Sequence, residues 1–160
     1  MRLQPELVWV PAPWWHLTLV HFPDVTLHDL AAVSTAVSHA VAAIQPPLLR
    51  TGSPGAYPHP MTAHELFVEV VSADEALLEL RRELVTAVSE LGGTPDPRAF
   101  RQHIGLARSI TPTDVSRSLD LLGPYRSPAW APASISIVAV RPAVNVQPQY
   151  DLIAEHPFQQ

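Results

Sequence analysis

Two tetrapeptides could do acid–base chemistry together, His16-Leu17-Thr18-Leu19 and His103-Ile104-Gly105-Leu106. Imidazole changes charge close to neutrality, with an unperturbed pKa of about 6.5, so one ring can remove a proton while a second supplies one. In an extended segment residues i and i+2 share a face, so His16 and Thr18 point one way while Leu17 and Leu19 point into a core. The same alternation sets His103 and Gly105 apart from Ile104 and Leu106. Each tetrapeptide is followed by a turn and a threonine opening a helix, Thr26-Leu27-His28-Asp29-Leu30 in one case and Thr111-Pro112-Thr113-Asp114-Val115 in the other. A duplicated strand–loop–helix unit related by a pseudo-twofold would bring the two histidine faces together. His21, His28, His39, His59 and His64 show no ligand spacing, so no metal site and no cofactor is expected.

The elements that must position these residues follow from periodicity. Residues 7–10 and 16–22 read as strands separated by a Pro-Ala-Pro turn. A helix is expected from Leu27 to Ile44, with Leu27, Leu30, Val33, Val37, Val41 and Ile44 on one face, Thr26 as N-cap and Pro46-Pro47 as its stop. The glycines and prolines between Thr51 and Thr62 read as a loop or irregular edge, followed by a strand at 65–71. A second helix runs from Asp74 to Leu91, with Ser72 and Glu75 at capping-box spacing, a stripe of Leu77, Leu80, Leu84, Val88 and Leu91, and Gly92-Gly93 ending it. A strand at 103–108, a short helix after Thr111-Pro112, and a closing strand pair at 134–140 and 149–155 complete the chain. Strands alternate with helices but end on a consecutive pair, which favours an α+β fold with mostly antiparallel sheets over a doubly wound one.

Composition sets the outer bounds. With 160 residues, 47% apolar and 16% charged, the chain suits one domain or two small lobes sharing a core. It contains no cysteine, so disulfide and thiolate chemistry are excluded. No apolar run approaches a membrane span, and a monomeric, soluble cytoplasmic protein is expected. The formal charge is −5 and all ten basic residues are arginine, so any contact with nucleic acid must be local. Arg98, Arg101 and Arg108 around His103 form either such a patch or ordinary solvated charges. Among the aromatics, Trp14, Trp15, Phe67 and Trp130 are expected to pack in the core, and Tyr57 is the most open case for stacking a base.

These residues resemble the two-histidine (2H) phosphoesterases, in the branch of the 2′-5′ RNA ligases and cyclic phosphodiesterases. That family carries two His-x-Thr/Ser-x motifs on strands. HLTL at 16–19 is a full match, Gly55-Ala56-Tyr57-Pro58 resembles the family's Gly-x-Phe-Pro segment, and Phe100 to Arg108 resembles its second-motif stretch. The likeness runs from Leu7 to Phe158. It implies two pseudo-symmetric lobes, with antiparallel sheets lining a central cleft and helices outside, over residues 1–160. It also implies metal-independent opening of a 2′,3′-cyclic phosphate on a nucleotide or RNA end. His103 would be the base, His16 the acid and Thr18 a donor to a phosphoryl oxygen, with Arg108, Gly105 and Tyr57 as substrate contacts. Two residues depart from the pattern, Gln102 in place of proline and Gly105 in place of Thr or Ser. Deleting one such hydroxyl donor costs roughly 10²–10³ in rate, so Gly105 separates a slowed enzyme from a relative that only binds a phosphorylated nucleotide or RNA end. An unrelated α+β interaction domain is the third alternative, and histidines lying apart would favour it. In the enzyme reading, Gly105→Thr would project into the cleft and restore the donor.

Overall fold

The computed structural model describes residues 6–26, 28–144 and 147–159. Its strands are β1 (Val8–Trp9), β2 (Leu49–Tyr57), β3 (Ala63–Ser72), β4 (His103–Thr113), β5 (Ser134–Val144) and β6 (Gln147–Pro157); its α-helices are α1 (Leu30–Ala42), α2 (Ala76–Ser89) and α3 (Ser116–Leu122). One sheet has the order β1-β4-β3-β2 and the other is the β5–β6 hairpin, and every pairing is antiparallel. The α+β expectation holds.

The helices form where the apolar stripes require them. Val33, Val37, Ala40 and Val41 of α1 interlock with Leu80, Leu84 and Val88 of α2 and with Phe158; Leu19, Val20 and Phe22 close this core on one side and Ile135 and Ile137 of β5 on another. Leu77 turns to the sheet instead, packing with Leu49 and Val70 and against Leu17, Ile104 and Trp130. Burying a leucine of this kind contributes about 1.5–3 kcal/mol, so α2 joins the helical core to the sheet. A third cluster, Leu7, Ala63, Leu66, Ala107 and Val115, holds β1, β3 and β4 together under α3. Leu91, expected at the end of the α2 stripe, is exposed beyond the helix.

Several local expectations are revised. Thr26 does not cap a helix at Leu27, a residue that lies outside those described. Its backbone N–H and hydroxyl donate to the Asp29 carboxylate, and α1 starts at Leu30. Asp74, and not a Ser72–Glu75 box, receives the Ala76 amide and the Ser72 hydroxyl. For the Thr51–Thr62 stretch the irregular edge is the reading realised: residues 51–57 belong to β2, an edge strand where a proline's missing N–H is tolerated, and a bulge between Thr51 and Pro54 absorbs Gly52 and Ser53. Thr111 and Pro112 extend β4, with Thr113 paired to Ala63, and α3 begins only at Ser116, whose amide donates to Asp114.

The largest revision concerns residues 16–22, which form no strand. Only Leu17 makes a β-bridge, to Ile104. The Leu19 carbonyl instead accepts from the Arg81 guanidinium of α2 (3.1 Å), and the His21 carbonyl from the Asp96 amide (2.8 Å). Side-chain and loop donors satisfy the backbone that a neighbouring strand would otherwise have paired.

Candidate active site

The edge of β4 is covered by an interrupted strand. Val8 pairs with Arg108, Trp9 with Ala107, and the Val10 amide donates to the Leu106 carbonyl. The chain then leaves the edge through a 3₁₀ turn at Ala12–Trp14 and returns where Leu17 meets Ile104. Continuing that antiparallel register by one residue each way puts His16 opposite Gly105 and Thr18 opposite His103. All four then share one face, on either side of a local twofold through the bridge. His16 and His103 become diagonal neighbours, a relation that spans roughly 7–8 Å and leaves room for a ligand group between the side chains.

The two imidazoles are held alike. His16 Nδ1 lies 2.8 Å from the Trp14 carbonyl oxygen and His103 Nδ1 lies 3.0 Å from that of Arg101. A carbonyl only accepts, so Nδ1 carries the hydrogen in each ring and Nε2 is left to exchange a proton. In both cases the partner is the residue two positions upstream. The repeat therefore reaches the ring nitrogens, although the threonines expected to open both helices do not share it.

Both histidines line one cavity of about 550 Å³, together with Thr18, Gly105, Arg108, Glu65, Trp14 and Tyr150. The register explains how β4 contributes three residues to it. Phe67 pairs with Gly105 and Leu66 with Ala107, leaving Leu106 as an extra residue. Without this bulge residues 105 and 108 would face opposite ways. With it Arg108 joins His103 and Gly105, as bulges re-aim side chains beside functional sites. The hairpin supplies the far wall: Tyr150 meets the His16 ring edge-on, with centroids 4.7 Å apart, and Arg141 pairs with Asp151 at 2.6 Å. Burial pushes the Tyr150 phenol above its ordinary pKa.

Sequence reasoning missed Glu65. Its carboxylate lies 3.8 Å from His103 Nε2 and 3.5 Å from the Arg108 guanidinium, and it is only 21% exposed. A Cβ built on Gly105 would come within 2.9 Å of Glu65 Oε1. The space expected for a threonine side chain at 105 is therefore taken by a carboxylate from the next strand. The alternation of Glu65, Phe67 and Glu69 along β3 was the available signal, but it did not reveal the register that sets Arg108 and Gly105 of β4 beside Glu65.

Comparison with known proteins places this geometry. The sequence profile of the 2′-5′ RNA ligase superfamily matches residues 2–141. The chain belongs to that superfamily. The resemblance to the two-histidine phosphoesterases is thereby confirmed. An RNA 2′,3′-cyclic phosphodiesterase of Geobacillus stearothermophilus is 30% identical over 159 residues, covering 96% of this chain. This chain spans only 48% of that relative's length. Among solved structures, TT0787 of Thermus thermophilus superposes with a TM-score of 0.75 at 21% identity, over 96% of this chain and 83% of that one. E. coli LigT in complex with 3′-AMP gives 0.66 at 19% identity, over 99% and 85%. At these identities the structural likeness establishes the fold.

Not every residue anticipated from the superfamily pattern reaches the cavity. Tyr57 does not line it: the residue pairs with Glu65 in the sheet and its ring carries the Arg101 guanidinium at 4.1 Å. Arg98 is bound to Asp96, so of the three arginines near His103 only Arg108 reaches the cavity. Gly55, in the Gly-x-Tyr-Pro segment, has a packing role. A Cβ there would lie 2.5 Å from the Phe67 ring, which stands edge-on to His103 with centroids 5.3 Å apart. Trp14 and Trp15 are not core residues; both are about half exposed, and Trp14 lines the cavity. Among the described residues no three His, Cys, Asp or Glu side chains gather as a metal site would require, and no helix is long and apolar enough to cross a membrane.

Proposed function

We propose that this chain is a metal-independent phosphoesterase, one two-lobed domain that opens a 2′,3′-cyclic phosphate or a related phosphodiester of a nucleotide or RNA end. The observation that carries this reading is the pair of histidines, both fixed through Nδ1 and both lining one cavity on either side of the Leu17–Ile104 bridge. Hydrolysis of a cyclic diester needs one group to take a proton from water and another to protonate the departing ribose oxygen, and the two free Nε2 atoms can supply both. In this reading His103 activates the water and His16 protonates the leaving oxygen. The Thr18 hydroxyl donates to a non-bridging oxygen, where charge accumulates, and the Arg108 guanidinium balances it. Trp14 and Tyr150 offer aromatic surface for a base beside the phosphate. The name of the Geobacillus relative supports the substrate class.

Gly105 favours a second reading, a relative that binds a phosphorylated nucleotide or RNA end without turning it over, because one of the two motif hydroxyls is missing. Purified protein assayed on 2′,3′-cyclic nucleotides and on RNA ending in a cyclic phosphate, with and without EDTA, decides between them. Turnover that survives the chelator is expected. Binding without turnover would leave the second reading, and activity lost to EDTA and restored by a divalent ion would refute the metal-independent mechanism.

A further inference from the structure

The geometry points to Glu65 as a charge-selecting residue, which tunes the cavity to accept a singly charged phosphodiester and to reject a doubly charged phosphomonoester. This rests on the phosphoesterase reading of the cavity and assigns a role that reading leaves open.

A threonine at 105 would be a neutral hydrogen-bond donor; the Glu65 carboxylate that occupies its place is an anion that only accepts. It lies against the Arg108 guanidinium at 3.5 Å, with His103 Nε2 3.8 Å away. The charges facing the cavity can be tallied. Arg141 and Asp151 pair with each other and cancel. That leaves Arg108 with one positive charge and Glu65 beside it with one negative charge. A phosphate drawn to Arg108 therefore also faces the Glu65 carboxylate, and a second negative charge on the ligand meets its repulsion. A diester is a monoanion, whereas a phosphomonoester, whose second pKa is about 6, is a dianion at pH 8. With Glu65 half-buried, its repulsion of the second charge is only partly screened. Water replaces the ring P–O bond while the departing ribose oxygen takes a proton. The monoester so formed releases its second proton to solvent at pH 8, so the same carboxylate that admits the monoanionic substrate would help expel the dianionic product.

The test uses a matched pair that cannot react: 2′-deoxyadenosine 3′-phosphate and its methyl ester, which differ by one methyl group and one charge. Both are titrated calorimetrically at pH 8 into the wild-type protein and into Glu65→Gln, which keeps the side-chain shape. The wild type should bind the methyl ester at least as tightly as the monoester. Glu65→Gln should raise monoester affinity about tenfold relative to the ester. Equal effects on both ligands, no effect on either, or failure of the wild type to bind either at millimolar concentration would overturn the assignment. If Glu65→Gln does not fold, the wild-type preference decides alone, and tighter binding of the monoester refutes the proposal. Turnover of a 2′,3′-cyclic nucleotide is measured alongside. Charge discrimination without turnover would remove the phosphoesterase reading and keep the selection, and turnover without discrimination would do the reverse.

Discussion

At Gly105 the expected donor is replaced by an acceptor that comes from another strand. Glu65 Oε1 would stand 2.9 Å from a Cβ at this position, so Gly105→Thr cannot simply add a hydroxyl. The carboxylate would have to swing away and give up its contacts with Arg108 and His103. The single substitution is therefore expected to lower turnover of a cyclic nucleotide, while Gly105→Thr combined with Glu65→Ala should exceed Gly105→Thr by at least tenfold. A double-mutant cycle on kcat/KM reads the coupling directly, and additive effects would show that the two positions do not compete for one space. The histidines carry a simpler expectation. His16→Ala and His103→Ala should each lower kcat by about 10²–10⁴, the range for one general acid or base, with thermal melting unchanged. Either variant turning over at the wild-type rate would remove its histidine from the mechanism.

At the scale of elements, the legible features were those with a strong period. The α1 stripe, the α2 stripe as far as Val88 and the β3 run read correctly because one buried face forces the pattern; the β5–β6 pair read correctly from its β-rich composition, although Val138, Val140 and Leu152 are exposed. Residues 16–22 read as a strand because their alternation is genuine, with His16 and Thr18 exposed and Leu17 and Leu19 half-buried. Alternation reports which side faces a core and says nothing of what bonds the backbone, and here Arg81 and Asp96 do so. Glu65 was illegible for a related reason: its role depends on a cross-strand register and a bulge at Leu106, neither of which leaves a local signal. The loop that precedes β4 binds to the first-motif segment through two acids. Asp24 accepts the Thr94 amide, and Asp96 holds Arg98 and lies 3.5 Å from His21. Hydrogen bonds from Arg98, then the nearby charges, hold the Asp96 carboxyl well below the ordinary carboxylate range. A depressed folded-state pKa adds stability above the unfolded value of about 3.9, and that stability is lost as pH falls through the folded one. Asp96→Asn should accordingly be less stable than wild type by a constant margin above about pH 5, with the margin shrinking as pH falls below about 4. Denaturant titrations at several pH values check this; a gap that widens on acidification would contradict it.

For the whole molecule, charge limits how nucleic acid can be held. The formal charge is −5, and of the three arginines near His103 only Arg108 lines the cavity. An acidic protein that grips an RNA end through one or two phosphates releases few counterions. The slope of log K against log salt should then be about −0.7 to −1.4, from about −0.7 per phosphate on a single strand. Fluorescence anisotropy with labelled RNA over a salt series measures it. A slope of about −4 or steeper would require a basic surface that this arithmetic does not supply.

The sparse backing of residues 16–22 bears on how a ligand would see the protein. The backbone of this segment is tied by one bridge pair, one guanidinium and one loop amide, so it can detach while both sheets stay intact, at the cost of lifting Leu17, Leu19, Val20 and Phe22 from the clusters they pack on and at a free energy below that of global unfolding. A ligand that needs His16 and Thr18 binds only the attached form, so its measured affinity is the intrinsic one scaled by the attached fraction. Amide hydrogens at 17–22 should exchange faster than those at 66–70 in the centre of β3, and a bound phosphodiester should slow the first set alone. Arg81→Met, which removes the donor to Leu19 without emptying the space, should speed that exchange and weaken binding by the same factor. Unequal factors would mean that Arg81 also acts on the ligand by another route.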